Sequence, residues 1–284
     1  MTLSQAIYLA SHKLSEVGID DTLVEAELLL RYAVGISKTQ LYTEPGRTLT
    51  PAEADRLREF TQRRLCREPA AYILRHREFY GIDFYIDQRV LIPRPETELL
   101  VEKATESASR YFPKKGLTIA DVGTGSGVVA VTLALALPQA IIYATDVSTA
   151  SLEVADMNCH RHKVHDQVKL LHGNLLEPLP KPVDMIVTNL PYVKDPELKM
   201  LSPEIVNFEP ITALTGGEDG LDKIRSLLAQ IPDKVCPRGC LLMEIGQGQA
   251  QAVTSLIRGY LPEAGIELVP DPSNIDRVVR VSLV

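Results

Sequence analysis

Residues 117–137, LTIADVGTGSGVVAVTLALAL, decide how this chain folds. The apolar run at 117–122 predicts a buried strand, and the apolar residues from Val128 to Leu137 recur at helical spacing. Between strand and helix lies a glycine-rich turn at 121–127. Glycines permit positive φ and carry no Cβ, so a ligand can approach the backbone and the N-terminus of the helix. The turn therefore indicates a nucleotide-binding loop, with a purely structural tight turn as the alternative.

The same alternation of strand and helix continues to the end of the chain. Strands that alternate with helices predict a parallel sheet covered on both faces. The last two strand candidates lack the long helix that a parallel crossover needs, so we expect them to pair antiparallel. The result is an α/β fold with a seven-stranded sheet. Its strand candidates are 117–122, 140–145, 168–172, 183–189, 239–245, 265–270 and 277–284, with helical spacing between them, as at 151–160.

The residues ahead of this α/β region have a different pattern. Apolar residues recur at helical spacing in the first two segments, and Thr50-Pro51-Ala52-Glu53 combines a capping box with proline at the first helical position. Residues 1–75 are therefore predicted to form a small helical domain for recognition or positioning. Residues 76–92 alternate and are rich in aromatic side chains, with Gly81-Ile82-Asp83 as the turn signal. They predict a β-hairpin linker, which leaves 93–284 as the catalytic domain.

Composition and charge exclude several classes of protein. The sequence has no apolar run of about 18 residues and no basic segment followed by an apolar core at its start, so neither a membrane span nor a signal peptide is expected. The spacing of Cys236 and Cys240 favours buried thiols in a reducing, cytoplasmic compartment. Residues 1–75 hold ten basic and ten acidic side chains, so the net charge of −7 lies in the remainder. This balance argues against a nucleic-acid backbone as the main ligand.

Asp146 closes the second predicted strand of the sheet, twenty-five residues after Asp121. In dinucleotide folds an acidic residue near this position holds the ribose hydroxyls. A carboxylate serves the ribose of NAD and that of S-adenosylmethionine equally, so Asp146 predicts a ribose without choosing the nucleotide. The alternative is that it caps the helix after Val147-Ser148, a role that Ser148 can also take.

The tetrapeptide Asn189-Leu190-Pro191-Tyr192 follows the fourth predicted strand, at the sheet edge where ligands bind. Pro191 forces Leu190 into an extended conformation, which can aim the Leu190 carbonyl and the Asn189 side-chain oxygen at one point. Two neutral acceptors suit an NH2 group, and Tyr192 can stack on the flat group that carries it. The tetrapeptide therefore predicts methyl transfer to a planar amide or amine nitrogen.

Hydrogen bonds to both N–H groups address a chemical difficulty of such an acceptor. An amide nitrogen is a poor nucleophile because its lone pair is delocalised into the carbonyl group. Two hydrogen bonds raise the electron density on nitrogen and hold the lone pair towards a methyl sulfonium. The sulfonium supplies the driving force, and no general base has to act first because the nitrogen becomes acidic as it gains the methyl group.

These motifs resemble the nitrogen-directed methyltransferases with the signature Asn/Asp-Pro-Pro-Tyr. Within that group the chain is similar to the HemK/PrmC family, the peptide chain release factor N5-glutamine methyltransferases. The resemblance covers nearly the whole length, and its most specific stretch is IPRPETE at 92–98. It is also carried by EPAAYI at 68–73, REFYG at 77–81, FEP at 208–210, GGEDGL at 216–221, EIGQG at 244–248 and DRVV at 276–279.

The resemblance implies a Rossmann-like, class I S-adenosylmethionine-dependent methyltransferase with a small N-terminal helical domain. The methyl group passes to the side-chain amide nitrogen, N5, of the glutamine in the Gly-Gly-Gln motif of class 1 release factors, and S-adenosylhomocysteine is the product. The implied acceptor and catalytic residues are Asn189, Leu190, Pro191 and Tyr192, with Arg94 also on the substrate side. The implied cofactor ligands are Gly123, Thr124, Gly125, Ser126, Gly127, Asp146, Asn174, Leu175 and Asn189.

Two positions depart from the family pattern. Leu190 stands where relatives usually have proline, which restores an N–H group and loosens the backbone. Because the carbonyl is retained and Pro191 still constrains Leu190, we expect function to survive. After the third strand, Asn174-Leu175 replaces an acidic residue followed by an aromatic one. Contact with adenine is then expected to be weaker or made by Leu175, with Asn174 still able to form a hydrogen bond.

Several alternatives stay open at this point. An adenine-N6 or guanine-N2 nucleic-acid methyltransferase offers the same NH2 geometry but predicts a basic stripe by the pocket. An NAD-binding oxidoreductase or regulatory module would use the same loop and Asp146, and a non-catalytic partner-binding protein would not need Asn189. The stretch Arg94–Glu98 can also be read as the first turn of a helix, where proline and acids complement the dipole.

No metal site is expected, because Cys159 and the histidines at 160, 162, 165 and 172 match no usual zinc spacing. The glycine-rich, acidic segment 216–220 lacks the spacing of a calcium loop and is interpreted as a mobile loop near the pocket. We expect a monomer whose partners are class 1 release factors, with neither a membrane nor direct nucleic-acid binding.

Overall fold

The computed structural model describes residues 1–112 and 116–283. The chain divides into two compact units. The first comprises Met1–His76 together with Ser202–Phe208, and the second comprises Arg77–Leu201 together with the residues from Glu209 onward. In the described part of the chain, every helix is too short or too polar to cross a membrane.

Helices make up the N-terminal part of the first unit. The capping box predicted at Thr50 is confirmed, since the Thr50 hydroxyl accepts a hydrogen bond from the Glu53 N–H and the Glu53 carboxylate accepts one from the Thr50 N–H. Leu3, Leu29 and Leu57 pack with other apolar side chains into a core of this unit. Its helices are α1 Leu3–Glu16, α2 Thr22–Val34, α3 Lys38–Thr43, α4 Pro51–Leu65 and α5 Ala70–Leu74.

A seven-stranded sheet forms the centre of the second unit. Its strands are β3 Thr118–Val122, β4 Ile141–Asp146, β5 Val168–His172, β6 Val183–Thr188, β7 Val235–Glu244, β8 Gly265–Pro270 and β9 Asp276–Ser282. They lie in the order β5-β4-β3-β6-β7-β9-β8. The pairs among β3 to β7 are parallel, whereas β9 pairs antiparallel with both β7 and β8. The predicted α/β fold with an antiparallel final hairpin is confirmed. The helices of this unit are α6 Thr97–Tyr111, α7 Val128–Ala136, α8 Thr149–Arg161, α10 Asp222–Gln230 and α11 Ala250–Tyr260, whereas α9, Pro203–Phe208, belongs to the first unit.

The antiparallel hairpin of β1 Arg77–Phe79 and β2 Ile82–Phe84 lies in the second unit. Its turn was predicted at 81–83, and this position is wrong. Ile82 and Asp83 pair with Phe79 and Glu78, so the turn consists of Tyr80 and Gly81, both with positive φ. The role of the hairpin as a linker stays a prediction.

Strand β7 begins four residues before the predicted start at 239. Val235 already pairs with Val183, and the register with β6 then shifts before Met185 pairs with Cys240. An irregularity of this kind breaks the alternating pattern, which is why the apolar run alone shows only the second half of the strand.

All four cysteines are free. Cys159 and Cys240 are buried, Cys236 is half-buried and Cys66 is exposed. Of the pair Cys236 and Cys240, only Cys240 is therefore the buried thiol that was expected.

The short helix α9 belongs to the first unit although its sequence lies inside the α/β region. The Glu204 carboxylate lies 3.1 Å from both Arg64 and Arg67, and Arg64 also pairs with Glu25 of α2 at 3.1 Å. Arg64 is almost fully buried, so the loss of Glu204 would leave part of its charge uncompensated. The local sequence gives no sign that the seven-residue segment Ser202–Phe208 belongs to the first unit.

Candidate active site

The carboxyl ends of three neighbouring strands meet at one edge of the sheet. Strand β3 lies between β4 and β6, and Val122 at its end pairs with Thr145 on one side and Thr188 on the other. The loops after these strands are therefore adjacent. They carry the glycine-rich turn, Asp146 and the tetrapeptide Asn189–Tyr192. Residues predicted from separate stretches of sequence thus come together at the edge where open α/β sheets bind ligands.

The glycine-rich turn connects β3 tightly to α7. Gly123, Gly125 and Gly127 have φ angles of +73°, +54° and +79°. At Gly127 an added Cβ would lie 3.1 Å from the Cβ of Ala155, so helix α8 packs directly on the turn. At Gly125 no heavy atom of the described residues lies within 4 Å of the Cβ position. The backbone there is open to a ligand beside the N-terminus of α7.

Asp121 ties the turn to both of its flanking elements. Its Oδ2 accepts hydrogen bonds from the Thr124 hydroxyl at 2.6 Å and from the Ala130 N–H at 3.1 Å. Thr124 and Ser126 are both buried, and the Ser126 carbonyl accepts a hydrogen bond from Asn158 Nδ2 at 2.9 Å. The contacts of Thr124 and Ser126 with a cofactor stay predictions. Because both side chains are buried, such contacts fall to the backbone of the turn.

We expect Asp121 to make the stability of the protein fall as the pH rises. Burial raises the pKa of its carboxyl to about 7, from 3.8 in an unfolded chain. Stabilisation by the protonated carboxyl is therefore present below the unfolded pKa and lost as the pH rises through the folded one. Between these values the free energy of unfolding of the wild type should fall by about 4 kcal/mol relative to that of Asp121→Asn. Urea titrations over this pH range measure the difference, and parallel profiles for the two proteins would contradict it.

Asp146 is engaged by two backbone N–H groups. Its Oδ2 accepts from Gly125 at 2.9 Å and its Oδ1 from Ser148 at 2.8 Å. The alternative of Asp146 as a helix cap is wrong, because Ser148 is the N-cap of α8 and its hydroxyl accepts from the Ser151 N–H at 3.1 Å. Each carboxylate oxygen has a second lone pair for a ligand. Burial raises the pKa of Asp146, and its hydrogen bonds with backbone N–H groups oppose that rise.

The tetrapeptide lies partly inside the core. The Nδ2 of Asn189 donates a hydrogen bond to the Thr97 hydroxyl oxygen at 3.1 Å, so Oδ1 points away from Thr97. Leu190 is only 4% exposed and packs in the core beside Gly123, where an added Cβ would lie 3.4 Å from its Cδ2. The leucine that departs from the family pattern thus fills space under the glycine-rich turn.

The backbone after the tetrapeptide is held by a buried glutamine. Gln249 Nε2 donates to the Tyr192 carbonyl at 3.1 Å and to the Gly220 carbonyl at 3.4 Å, while its Oε1 accepts from the Gly246 N–H at 2.9 Å. The sequence patterns single out the neighbouring segment 244–248 but assign Gln249 no role. One side chain therefore joins three loops that are distant in sequence.

The glycine-rich segment 216–220 packs against the same backbone. The Gly216 N–H donates to the Val193 carbonyl at 2.8 Å, and the Val193 N–H donates to the Leu214 carbonyl at 3.0 Å. An added Cβ at Gly216 would lie 2.8 Å from the Pro191 carbonyl oxygen. These contacts place the segment beside the tetrapeptide, as predicted, and the backbone bonds anchor it there.

Tyr192 lies beside the buried carboxyl group of Glu244. The Tyr192 hydroxyl is 3.5 Å from Glu244 Oε1. Burial raises the pKa of Tyr192 to about 12 and that of Glu244 to about 7. The phenol therefore keeps its proton at neutral pH and can act as a donor. Glu244, which ends β7, has no role in the sequence-based predictions.

Arg94 forms an ion pair with Glu209, whose side chain is buried. Arg94 Nη2 lies 2.6 Å from Oε1, and the Ile92 N–H donates to Oε2 at 3.3 Å. The ion pair joins the IPRPETE stretch to the FEP motif, and Glu209 compensates the charge of Arg94. The predicted contact of Arg94 with substrate stays a prediction. Helix α6 begins only at Thr97, so Arg94 and Pro95 lie outside the helical turn in which the alternative interpretation placed them.

Asn174 and Leu175 follow β5 at the same edge of the sheet. Asn174 is exposed, and its Nδ2 donates to Glu177 Oε1 at 3.0 Å. Leu175 has a φ of +53° and a buried side chain that packs in the core with Leu176. Of the two, Asn174 presents its side chain at the surface, and their contacts with adenine stay predictions.

In the described part of the chain no three side chains of His, Cys, Asp or Glu group as metal ligands.

Comparisons with known proteins agree with this arrangement. The sequence model of one protein family, the PrmC N-terminal domain, matches residues 5–74, and that of a second family, the methyltransferase small domain, matches residues 96–207. The chain is 40% identical to a release factor glutamine methyltransferase of Moorella thermoacetica, over 98% of this chain and 97% of the relative. A protein of the same name from Koribacter versatilis is 40% identical over 98% of both chains, and one from Neisseria gonorrhoeae is 41% identical over 90% and 91%.

Solved structures show the same fold at low sequence identity. The hMettl16 catalytic domain in complex with the MAT2A 3'UTR hairpin 6 matches with a TM-score of 0.54 and 17% identity, over 84% of both chains. A methyltransferase from Pyrococcus furiosus matches with a TM-score of 0.52 and 17% identity, over 72% of this chain and 89% of that chain. At these identities the likeness concerns the fold alone.

Proposed function

This chain belongs to the release factor glutamine methyltransferase family, and from that premise we propose that it methylates the glutamine of the Gly-Gly-Gln motif in class 1 release factors at N5. The methyl donor is S-adenosylmethionine. The observation that carries the proposal is the position of Asn189, which follows the strand next to the glycine-rich turn. Its Nδ2 is bonded to Thr97, which leaves Oδ1 to accept from a ligand. An acceptor for an N–H group therefore stands next to the candidate nucleotide loop.

The donor set at the sheet edge fits S-adenosylmethionine. The open backbone at Gly125 and the N-terminus of α7 would receive the methionine part, and the Asp146 carboxylate would accept hydrogen bonds from the ribose. Asn174 would lie near the adenine. When bound, S-adenosylmethionine supplies a methyl group on a positively charged sulfur. The described residues supply orientation.

In the proposed mechanism the tetrapeptide positions the glutamine amide. Asn189 Oδ1 and the Leu190 carbonyl accept one hydrogen bond each from the NH2 group, which turns the nitrogen lone pair towards the methyl group. Tyr192 stacks on the amide plane. The Tyr192 carbonyl is held by Gln249, so the loop keeps this shape without the substrate. The acceptor nitrogen gains the methyl group and releases one of its protons to solvent, so that the N-methyl amide and S-adenosylhomocysteine are the products.

A methyl-transfer assay tests the proposed function. Purified protein, S-adenosylmethionine and a class 1 release factor are incubated, and the mass of the Gly-Gly-Gln peptide is measured against the same release factor with Gln→Ala. We expect one added methyl group on the wild-type peptide and none on the variant. Methyl transfer to the variant, or to RNA alone, would refute the assignment and favour a nucleic-acid acceptor.

We further propose that the enzyme acts as a cytoplasmic monomer and needs no nucleic acid. The free cysteines and the acidic balance of residues 76–284 support this proposal. Analytical ultracentrifugation tests the oligomeric state, and an assay with nuclease-treated components tests the second point. A dimer at working concentration, or activity that depends on RNA, would contradict it.

Asp146→Ala is expected to act mainly on the cofactor. Removal of the carboxylate takes away the proposed ribose acceptor and a partner of the Gly125 N–H, so the Kd for S-adenosylmethionine should rise by about 30-fold. Saturating cofactor should restore most of kcat. Isothermal titration calorimetry and initial rates measure both quantities. The control is Asp166→Ala, an exposed aspartate beyond α8, which should change neither.

A further inference from the structure

A chain of polar side chains lies beneath the tetrapeptide. It runs from Asn189 through Thr97, at the start of α6, to Glu244, at the end of β7. The Thr97 hydroxyl oxygen accepts from Asn189 Nδ2 at 3.1 Å, and Thr97 lies near enough to the Glu244 carboxyl to lower the pKa of that group. Thr97 and Glu244 are 4% and 2% exposed, so no bulk water competes at these positions.

Glu244 retains unused capacity to accept hydrogen bonds. Its Oε2 is buried and has no hydrogen-bond partner among the described residues, and its Oε1 lies 3.5 Å from the Tyr192 hydroxyl. A buried carboxylate oxygen without a full partner is costly, so it attracts the nearest hydroxyl protons. Two nearby charges have opposite effects on the pKa of the Glu244 carboxyl: Glu96 raises it and Arg277 lowers it.

The single proton of the Thr97 hydroxyl can serve only one acceptor at a time. When Thr97 donates it to the Glu244 carboxylate, only lone pairs of Oγ1 face Asn189. The Asn189 amide must then turn its NH2 towards Thr97, as the structure has it, and its oxygen away from Thr97, where the substrate nitrogen is proposed to lie. If Glu244 did not engage the Thr97 hydroxyl proton, Thr97 could donate that proton to Asn189 Oδ1. The Asn189 amide would then be flipped and would present its NH2 to the NH2 of the substrate.

We propose that Thr97 and Glu244 are positioning residues that select the Asn189 amide orientation with Oδ1 facing the acceptor nitrogen. Neither residue touches the substrate in this role. This positioning role rests on the proposed function, because only a substrate with an NH2 group needs that orientation of Asn189. In the flipped orientation the Asn189 NH2 would face the NH2 of the substrate, and one of the two hydrogen bonds that orient the lone pair would be lost. We therefore expect a lower kcat with release factor and unchanged cofactor binding.

The test compares Thr97→Val with Thr97→Ser at a pH above 8, where Glu244 with its pKa of about 7 is mostly ionised. Valine keeps the shape and removes the hydroxyl. We expect kcat to fall about 10-fold in Thr97→Val and about twofold or less in Thr97→Ser, with an unchanged Kd for S-adenosylmethionine. Glu244→Gln, which can donate to Thr97, should lower kcat in the same direction. Thr132→Val, another buried threonine, is the control for the loss of a buried hydroxyl.

The decisive measurement repeats Thr97→Val in an Asn189→Asp background. A carboxylate presents an oxygen on both sides, so it has no orientation to select, and Thr97→Val should then cost about twofold or less. Equal losses in both backgrounds would overturn the inference, as would an unchanged kcat in Thr97→Val or Glu244→Gln. A wild-type protein that does not methylate the release factor would instead overturn the proposed function, so the two failures are distinguishable.

Discussion

Asn189→Ala is expected to lower kcat for release factor by about 100-fold or more while the Kd for S-adenosylmethionine changes about threefold or less. Alanine removes the side-chain oxygen proposed to accept from the glutamine NH2, and it also leaves the Thr97 hydroxyl without its partner at 3.1 Å. The acceptor amide then loses one of two hydrogen bonds that orient its lone pair. Single-turnover rates at saturating cofactor separate this loss from any change in binding.

Two variants serve as controls for Asn189→Ala. Asn189→Asp keeps an oxygen at the same place and should retain far more activity than alanine. Asn207→Ala removes an exposed asparagine of α9 and should leave kcat unchanged. An Asn189→Ala protein with wild-type kcat would remove this residue from the mechanism.

Gly220→Ala is expected to have the second largest effect. The added Cβ would lie 2.4 Å from the Tyr192 carbonyl oxygen and 2.8 Å from Gln249 Nε2. Neither contact can be relieved by the rotation of a surface side chain, because the first is with backbone and the second with the buried glutamine that holds it. The backbone after Pro191 must move, and a shift of about 1 Å at an acceptor site can lower kcat about 100-fold.

Gly81→Ala is the matched control for Gly220→Ala. The two glycines have similar φ angles, +71° at Gly81 and +79° at Gly220, so both substitutions carry the same backbone strain of about 1 kcal/mol. Around the Cβ position of Gly81 no heavy atom of the described residues lies within 4 Å. Thermal unfolding should therefore show the shared strain in both proteins, whereas only Gly220→Ala should lose activity. Similar kcat values for the two variants would show that the contact with Tyr192 does not matter.

Much of the fold can be predicted from the sequence because its signals are local. A strand such as β3, the helix α7 and the capping box at Thr50 depend on neighbouring residues and on the periodicity of apolar side chains. The antiparallel final hairpin follows from the missing crossover helix. The tetrapeptide is equally local, since it comes directly after β6 at the edge of the sheet where parallel strands end.

The surroundings of the tetrapeptide depend on contacts between segments that are distant in sequence. Glu244 comes near Tyr192 because β7 lies beside β6 with Met243 paired to Thr188. A pairing of that kind is set by strand order and by a shift in register between Val183 and Met185, which no apolar pattern shows.

The same limit applies to Gln249, Glu209 and Glu204. The first two are buried polar side chains whose hydrogen bonds join loops across the second unit, and the third holds α9 within the first unit. A single polar residue has no period and no spacing, so its partner appears only when the chain is folded. The sequence by itself therefore determined the fold and the family, and it located the tetrapeptide at 189–192 that we propose as the acceptor motif. Only the tertiary structure decided which side chains orient that motif, because a buried polar group is satisfied by whatever packing brings next to it.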